Sequence, residues 1–198
     1  MGGDVVILAA GAFPRKGGPA RRVLESARAV VCCDGAADVY RRRMRREPDA
    51  VVGDCDSLRG RFANVERMPD QDTNDLDKAV RYCRGRGWNK PVVAGATGGR
   101  EDHSIGNIFR ALSHGLDTVT DTGRFTPVSG RRTLVAAKGA AVSVFAPDPR
   151  TRMSSQGLVW PLAGVKFDTL WRATLNRAAR SRIILESDRP VYVYIEEK

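Results

Sequence analysis

The sequence predicts an α/β protein in which a parallel-sheet domain is followed by a small antiparallel β-sandwich. In the first part, short apolar runs alternate with helical segments, and this βαβ rhythm is typical of a parallel sheet. After Gly123 the runs become short and alternating, with prolines and glycines between them, as in a β-sandwich. We therefore predict an α/β domain at residues 1–123 and a β-sandwich domain at residues 124–198.

Five apolar runs of the first domain are interpreted as buried strands, at residues 5–9, 29–33, 50–53, 92–94 and 116–120. Helical segments separate them. Pro19 begins a helix that extends to about residue 28, because proline fits the first helical position. A second helix ends near residue 44, a third is capped by Asp72 or Thr73, and a fourth covers about 103–114.

Five short runs of the second domain are predicted to be strands, at residues 133–136, 141–145, 157–162, 183–186 and 191–195. The last of these alternates cleanly and makes a good final strand. Trp160 and Trp171 are the notable aromatic residues of this half. Each is expected in the sandwich core, and the alternative is a wall of a ligand site.

The composition bounds the class of protein. Of 198 residues, 42% are hydrophobic and 28% charged, which allows a proper core and argues against wholesale disorder. No apolar run approaches the roughly 18 residues that a membrane span needs. The run at 5–10 has no basic flank before it, so we interpret it as the first strand of a cytoplasmic protein.

Neither the four cysteines nor the positive charge identifies a function alone. The cysteines lack C-x-x-C spacing, so a structural zinc site is not expected, and we expect the adjacent Cys32 and Cys33 of an apolar run to be reduced core thiols. The formal net charge of +10 is compatible with nucleic acid, with phosphate-rich ligands or with solubility. Many of the charges are arginines at 41–43, 45 and 46; we interpret this run as a solvated helix face, because no aromatic residues are interleaved with it.

Acidic residues are concentrated where the third strand ends. Six aspartates fall between positions 54 and 77 of this basic chain: Asp54, Asp56, Asp70, Asp72, Asp75 and Asp77. If the extended backbone continues past Gly53, Asp54 and Asp56 leave the chain on the same face, where they repel each other unless a cation lies between them. Such oxygen ligands suit Mg²⁺. The alternative is an ordinary solvated turn.

Further candidate residues follow two other strands. Asp34 ends the second strand, at the same rim of the sheet as Asp54, either as a ligand contact or as a helix cap. Asp75 and Lys78 share one helix face, so a cation ligand is expected beside a phosphate-directed ammonium. The glycine-rich turn at 95–99 can offer N–H groups to phosphate, and Arg100 can bind phosphate oxygens. We expect His103 to be buried and hydrogen-bonded.

Five blocks together resemble the thiamine pyrophosphokinase family. They occur in the family's order and span most of the chain: Asp34-Gly35-Ala36, Gly53-Asp54-Cys55-Asp56-Ser57-Leu58, the block from Asp70 to Lys78, the block from Gly95 to His103, and Gly157-Leu158-Val159-Trp160-Pro161-Leu162. The resemblance implies an α/β ATP-binding domain, a thiamine-binding β-sandwich, and a homodimer with thiamine sites between subunits. It also implies the reaction of ATP with thiamine to give AMP and thiamine diphosphate, with Mg²⁺.

The resemblance also assigns roles to individual residues. Asp54, Asp56 and Asp75 correspond to metal- and pyrophosphate-binding carboxylates. Apart from the resemblance, an aspartate near the thiamine hydroxyl can take its proton, and we expect this role for Asp75 or Asp102. The residues implied for ATP or for thiamine beside it are Asp34, Gln71, Thr73, Asn74, Lys78, Gly98, Gly99, Arg100 and Asp102; those implied for thiamine are Trp160 and Asn176.

Two positions depart from the family's pattern. Asn74 stands where the family usually has threonine, and Leu175 precedes Asn176 where it tends to have serine. The second departure removes a hydroxyl from the expected thiamine pocket.

Two other functions remain alternatives on the sequence alone. One is a basic nucleic-acid-binding protein whose aspartates are structural or hold a nuclease-type metal. The other is a relative that binds thiamine without turnover.

Overall fold

The computed structural model describes residues 5–70 and 72–197. The chain divides into two compact units, Met1–Asp121 and Thr122–Lys198. The described helices and strands of each unit surround separate groups of buried residues.

The first unit contains a parallel sheet, as predicted. Its strands are β1 (Val5–Leu8), β2 (Ala29–Cys33), β3 (Ala50–Gly53), β4 (Val65–Arg67), β5 (Val92–Ala94) and β6 (Thr118–Val119). They lie in the order β4-β3-β2-β1-β5-β6, and each pair is parallel. Strand β4 was not predicted, because its three residues are all exposed and form no apolar run.

Four helices cover the two faces of this sheet: α1 (Pro19–Ser26), α2 (Ala36–Met44), α3 (Asp75–Gly85) and α4 (Glu101–Ser113). Val6 and Leu8 of β1 pack with residues of α1 and α2, whereas Val5 and Ile7 pack with residues of α3 and α4. Helices α3 and α4 therefore lie on one face of the sheet and α1 and α2 on the other. The carboxyl ends of the central strands meet at one edge, and the candidate site lies there.

The start of α3 differs from the prediction. Asn74, not Asp72 or Thr73, is the N-cap, and its side-chain oxygen accepts a hydrogen bond from the N–H of Asp77 at 2.9 Å. All three residue types can cap a helix, so local sequence does not decide between them. Helix α4 begins at Glu101, two residues before the predicted start.

The second unit is an antiparallel β domain. Its strands are β7 (Gly123–Val135), β8 (Ala141–Phe145), β9 (Met153–Gln156), β10 (Ala173–Arg177) and β11 (Arg182–Glu196). They lie in the order β7-β11-β8-β10, and β9 pairs with β11. Between Ser187 and Val191 the register of β11 against β7 shifts, so one half of β11 pairs with β9 and the other with β8. Inward side chains from both halves share one core.

Several predicted elements of this unit were wrong. The runs 183–186 and 191–195 belong to the single strand β11, because the register shift accommodates Pro190 within the pairing. Residues 157–162 form no strand: Gly157 takes a φ of 83°, and Leu158 makes an isolated bridge to Ala178. Trp160 and Trp171 are 56% and 64% exposed, so neither belongs to the core, which is aliphatic apart from Phe167.

Two expectations about the chain as a whole can be compared with the structure. All four cysteines are free thiols, and Cys32 and Cys33 are buried, as predicted. None of the helices in residues 5–70 and 72–197 combines the length and apolarity that crossing a membrane requires.

Candidate active site

Three carboxylates converge at the carboxyl edge of the parallel sheet. Asp34 follows β2, Asp54 follows β3, and Asp75 is the first residue of α3. One oxygen from each lies within 4.8 Å of the others, a spacing that allows all three to bind one metal ion. We call Asp34, Asp54 and Asp75 the acidic group. Gly53 leaves room for it, because a Cβ there would lie 3.1 Å from both Asp34 Cβ and Asp75 Oδ1.

Asp34 is held in an unusual conformation. Its φ is 38°, in the left-handed region, and only 5% of the residue is exposed. Oδ2 accepts hydrogen bonds from the hydroxyl of Ser57 at 2.6 Å and from its N–H at 3.2 Å. Oδ1 is buried and has no hydrogen-bond partner among the described residues. A buried carboxylate oxygen without a donor is costly, and its position in the acidic group fits a cation ligand.

Asp75 and Lys78 form a half-buried pair on α3, as the sequence predicts. Lys78 is only 2% exposed, and its Nζ lies 3.5 Å from Asp75 Oδ1. Burial raises the pKa of the Asp75 carboxyl, the Lys78 ammonium lowers it, and the nearby Asp54 and Asp34 raise it further. The net direction is upward, because removal from water and two neighbouring carboxylates disfavour the charged form. The ammonium offsets only part of the negative charge.

The structure does not bring Asp56 into the acidic group. Strand β3 ends at Gly53, and Cys55 takes a φ of 64°, so the extended geometry stops before Asp56. The side chain of Asp56 is 75% exposed and lies 4.0 Å from Arg67, while its N–H donates to Asp54 Oδ1 at 3.3 Å. The expectation that both aspartates leave the chain on one face is therefore wrong, because a left-handed residue lies between them.

A cavity of about 580 Å³ adjoins the acidic group. Asn74, Asp75 and Cys33 line one side of it. Helix α4 lines the other with Asp102, His103, Gly106, Asn107, Phe109, Arg110 and Ser113. The size is in the range of small-molecule sites. His103 is exposed, which contradicts the expectation of a buried histidine.

The glycine-rich turn after β5 is hydrogen-bonded to the loop after β1. The N–H of Gly11 donates to the carbonyl of Gly95 and that of Ala12 to the carbonyl of Thr97, both at 2.8 Å. Gly98, with a φ of 79°, and Gly99 continue this turn towards α4. The turn therefore lies at the same edge of the sheet as the acidic group, where its N–H groups are available to a ligand.

Arg100 and Asp102 bind each other at the start of α4. Arg100 donates two hydrogen bonds to the Asp102 carboxylate, at 3.2 and 2.6 Å, and both side chains are exposed. These hydrogen bonds from Arg100 hold the pKa of Asp102 below its usual value. A carboxyl with a lowered pKa is a weaker base than one with a raised pKa, so the structure distinguishes Asp102 from Asp75.

Two of the remaining predicted residues precede α3. The hydroxyl of Thr73 lies 2.9 Å from Asp70 Oδ1 and 3.0 Å from Arg81. Gln71 lies outside the described residues.

Trp160 and Asn176 lie side by side in the second unit. The amide of Asn176 is 4% exposed; its Nδ2 donates to the Trp160 carbonyl at 2.7 Å and its Oδ1 accepts from the Trp160 N–H at 3.2 Å. Both residues line a shallow cavity of about 260 Å³ together with Leu162, Arg172, Thr174 and Leu175. Leu175 is 85% exposed and has a φ of 63°, which is rare for leucine.

Sequence reasoning missed two groups of site residues. Ser57 positions Asp34, and its place in the second block could have indicated this, because a serine three residues after Asp54 is a natural hydrogen-bond donor at this rim. Asn107, Phe109 and Arg110 line the cavity from the middle of α4. No local motif marks these three residues, since they reach the cavity only through the packing of α4.

A parallel sheet with carboxylates at its carboxyl edge, followed by an antiparallel β domain, defines a two-domain α/β protein with a candidate metal site. Two family models match the chain: "Thiamin pyrophosphokinase, catalytic domain" at residues 20–119 and "Thiamin pyrophosphokinase, substrate-binding domain" at residues 123–194. The chain belongs to the thiamine pyrophosphokinase family.

Curated relatives and solved structures agree with this assignment. Thiamine pyrophosphokinase 1 of Arabidopsis thaliana is 32% identical over 206 residues, covering 83% of this chain and 76% of its own. Thiamine pyrophosphokinase 1 of Oryza sativa subsp. japonica is 35% identical over 116 residues, which cover 42% of this chain and 43% of that protein. The structure of thiamin pyrophosphokinase from Candida albicans has a TM-score of 0.79 at 16% identity, covering 99% of this chain and 90% of that one. The structure of thiamine pyrophosphokinase from Bacillus subtilis has a TM-score of 0.76 at 15% identity, covering 98% of this chain and 99% of that one. These structures support the fold.

Proposed function

We propose that this protein is a thiamine diphosphokinase, which transfers the diphosphoryl group of ATP to the hydroxyl of thiamine and releases AMP and thiamine diphosphate. The observation that carries the proposal is the acidic group. Three separate segments of a chain in the thiamine pyrophosphokinase family bring carboxylates within 4.8 Å of one another beside a cavity of small-molecule size.

The acidic group fits Mg²⁺. Its donors are all carboxylate oxygens, the ligand type that this ion prefers, and Asp34 Oδ1 is a buried oxygen without a hydrogen-bond donor in the described chain. Asp34, Asp54 and Asp75 would hold the ion, with Asp34 in the place that the sequence assigned to Asp56. When bound, Mg²⁺ neutralises charge on the phosphate chain and so favours attack by the thiamine hydroxyl.

The protein's own groups would position ATP around this ion. We assign the phosphate chain to the turn with Gly98 and Gly99 and to Arg100, which is exposed and has a fork geometry suited to phosphate. Lys78 stabilises the acidic group through its ion pair with Asp75. Asn74 lines the cavity with Asp75, whereas the assignments of Thr73 and Gln71 to ATP rest on the family's motif alone.

Asp75 and Asp102 are the two candidates for accepting the thiamine proton. Burial, Asp54 and Asp34 raise the pKa of Asp75, whereas hydrogen bonds from Arg100 lower that of Asp102. Mg²⁺ held by the acidic group would lower the pKa of Asp75, so the raised pKa does not by itself select Asp75 as the base. Asp102 also orients Arg100 through their two hydrogen bonds.

We assign thiamine to Trp160 and Asn176. The exposed indole of Trp160 offers a flat face for a heterocycle. Asn176 holds the backbone of Trp160 in place by hydrogen bonds to both its N–H and its carbonyl group. The assignment of ATP to the first unit and thiamine to the second, the homodimer with thiamine between subunits, and a cytoplasmic location are part of this proposal.

The nucleic-acid alternative receives no support. In the arginine run, Arg41 stacks over Phe62 at 4.4 Å and donates to the carbonyl of Arg61, and Arg46 stacks over Tyr40. These arginines therefore cover apolar surface of the first unit. The family models and relatives account for both halves of the chain without it.

The test is to mix the protein with ATP, Mg²⁺ and thiamine and to quantify all nucleotides and thiamine species. AMP and thiamine diphosphate should appear in equal amounts, and a chelator should stop both. Conversion of ATP only to ADP, or unmodified thiamine, contradicts the proposal. Thiamine binding by calorimetry without any turnover would instead identify a relative that only binds the vitamin.

A further inference from the structure

A second cavity of the first unit lies between α3 and α4 and shares Arg110 and Ser113 with the cavity beside the acidic group. Its volume is about 510 Å³, which is enough for a small metabolite. We call it the arginine groove, because Arg81 and Arg84 of α3 and Arg110 of α4 line it. None of the roles assigned above uses Arg81 or Arg84.

The arginine groove carries an excess of positive charge. Among the described residues, its lining contains three guanidinium groups but one carboxylate, that of Asp77. Asp77 is only 12% exposed and is already bound by Arg110 at 2.5 Å and by His114 at 2.7 Å. Asp77 is therefore occupied by Arg110 and His114, whereas Arg81 lies 3.5 Å from Asp70 outside the lining and Arg84 binds a backbone carbonyl.

Existing contacts orient the other two arginines without using up their donors. Arg84 donates to the carbonyl of His114 at 3.0 Å, and Arg81 donates to the hydroxyl of Thr73 at 3.0 Å and lies 3.5 Å from Asp70. A guanidinium has five N–H groups in a planar fork. Arg81 and Arg84 are three residues apart and so lie on the same face of α3. Both are exposed, so each can present remaining N–H groups to a ligand.

We infer that the arginine groove binds a small phosphorylated anion, separately from the acidic group. Two guanidinium forks on one helix face can chelate the oxygens of one or two phosphate groups, which is the geometry that arginine recognises best. The hydroxyl of Ser113 and the apolar side chain of Val80 complete the lining, so the groove accepts a phosphate with a short organic portion.

The test is calorimetric titration of the full chain with inorganic pyrophosphate, in EDTA and without ATP, so that it does not depend on transferase activity. Wild-type protein should bind pyrophosphate, more weakly at high salt. Arg84→Gln should bind about tenfold more weakly, because it removes charge-assisted hydrogen bonds. Arg81→Gln should show the same direction, and it keeps the test valid if Arg84→Gln does not fold.

Two matched controls separate the arginine groove from other anion sites. Arg43→Gln removes an exposed arginine of α2, on the opposite face of the sheet, and should leave the affinity unchanged. Arg100→Gln removes the arginine assigned to the phosphate chain of ATP; it should weaken pyrophosphate binding beside the acidic group and leave in place the binding that Arg84→Gln weakens. Equal weakening by Arg43→Gln, loss only with Arg100→Gln, or no binding to wild-type protein would overturn the inference. Citrate binding as tight as pyrophosphate would overturn the choice of phosphate.

Discussion

Asp34 combines two unfavourable features at one residue. Its φ of 38° is uncommon for a residue with a side chain, and one buried carboxylate oxygen has no donor in the described chain. Such features persist only where the surrounding structure imposes them. Ser57 holds the other oxygen in place, and one oxygen of Asp34 lies within 4.8 Å of oxygens of Asp54 and Asp75. This is the geometry of a prepared ligand site.

The carboxylates can be ranked by how much an asparagine substitution at each lowers kcat. Asp34→Asn and Asp54→Asn should each lower kcat by roughly 100-fold or more, because each removes a charged ligand from the acidic group. Asp56→Asn should change kcat within about fivefold, since it removes only an exposed carboxylate 4.0 Å from Arg67. Steady-state kinetics with a circular dichroism check of folding would measure this. An Asp56→Asn loss as large as that of Asp54→Asn would disprove the three-residue acidic group.

Gly11 permits close contact between two loops. A Cβ at this position would lie 2.5 Å from the carbonyl oxygen of Gly95 and 2.6 Å from that of Thr97, and backbone atoms cannot move aside cheaply. Gly11→Ala should therefore lower the free energy of unfolding by about 1–3 kcal/mol. Urea denaturation measures the change. Gly85→Ala is the control, because nothing lies within 4 Å of its Cβ position, and it should not destabilise the protein.

At the scale of elements, the ends of the helices and strands decide the site. Asp75 projects from the first residue of α3, while Asp34 and Asp54 directly follow β2 and β3. A shift of α3 by a single residue would rotate Asp75 away from its partners, since successive helix positions differ by about 100°. The N-cap at Asn74 therefore fixes both the helix and the carboxylate.

The departure at Asn74 is explained by capping. Asparagine and threonine can both accept a hydrogen bond from a helix N-terminus, so Asn74 caps α3 at a position where threonine could also do so. Asn74→Ala should lower the free energy of unfolding by about 1 kcal/mol, and Asn74→Thr should retain most of the stability. Thermal unfolding of the two variants measures this. Equal destabilisation by alanine and threonine would show that Asn74 does not act as a cap.

The turn before β9 should lose stability in acid. Hydrogen bonds from Arg150 hold the pKa of Asp148 well below its usual range, and Arg189 lies 3.3 Å away. A lowered pKa means that the carboxylate stabilises the folded state above about pH 3.9, its ordinary value, and that this contribution declines as the pH falls further. Asp148→Asn should therefore lower the urea midpoint at pH 7, and the difference from wild type should shrink below pH 4. A constant difference at both pH values would contradict the assignment.

At the scale of the whole molecule, each unit has its own core. The first buries aliphatic side chains on both faces of its sheet, and the second encloses a separate aliphatic core between strands. The large apolar side chains outside these cores include Trp160, Trp171 and Leu175 of the second unit. Exposed apolar groups of this size suit contact with another chain or a ligand.

The proposed homodimer and the role of Trp160 in binding thiamine can both be tested. Light scattering of the full chain should give the mass of two chains. Trp160→Ala should raise KM for thiamine about tenfold or more while leaving KM for ATP unchanged, because it removes an aromatic wall and no phosphate contact. A monomer with full activity would contradict the dimer, and equal changes in both KM values would contradict the assignment of Trp160 to thiamine.

The sequence by itself determined the parallel sheet of the first unit, the pairing of Asp75 with Lys78, and the family. Apolar runs fix buried strands through local hydrophobicity, and residues three apart on a helix share a face whatever surrounds them. Short apolar runs also indicated β structure in the second unit, but they could not show that residues 182–196 form one strand across a register shift.

Only the tertiary structure decided which carboxylates meet. Asp34 and Asp75 are far apart in sequence and become neighbours because β2 ends and α3 begins at one edge of the sheet. Asp56 follows Asp54 closely, yet the left-handed backbone at Cys55 turns it towards solvent. The exposure of Trp160 and Trp171 likewise depends on packing between distant segments. The same is true of the arginine groove, which exists only because α3 and α4 pack side by side. Local pattern specifies which elements form, whereas the contacts between their ends depend on how the whole chain folds.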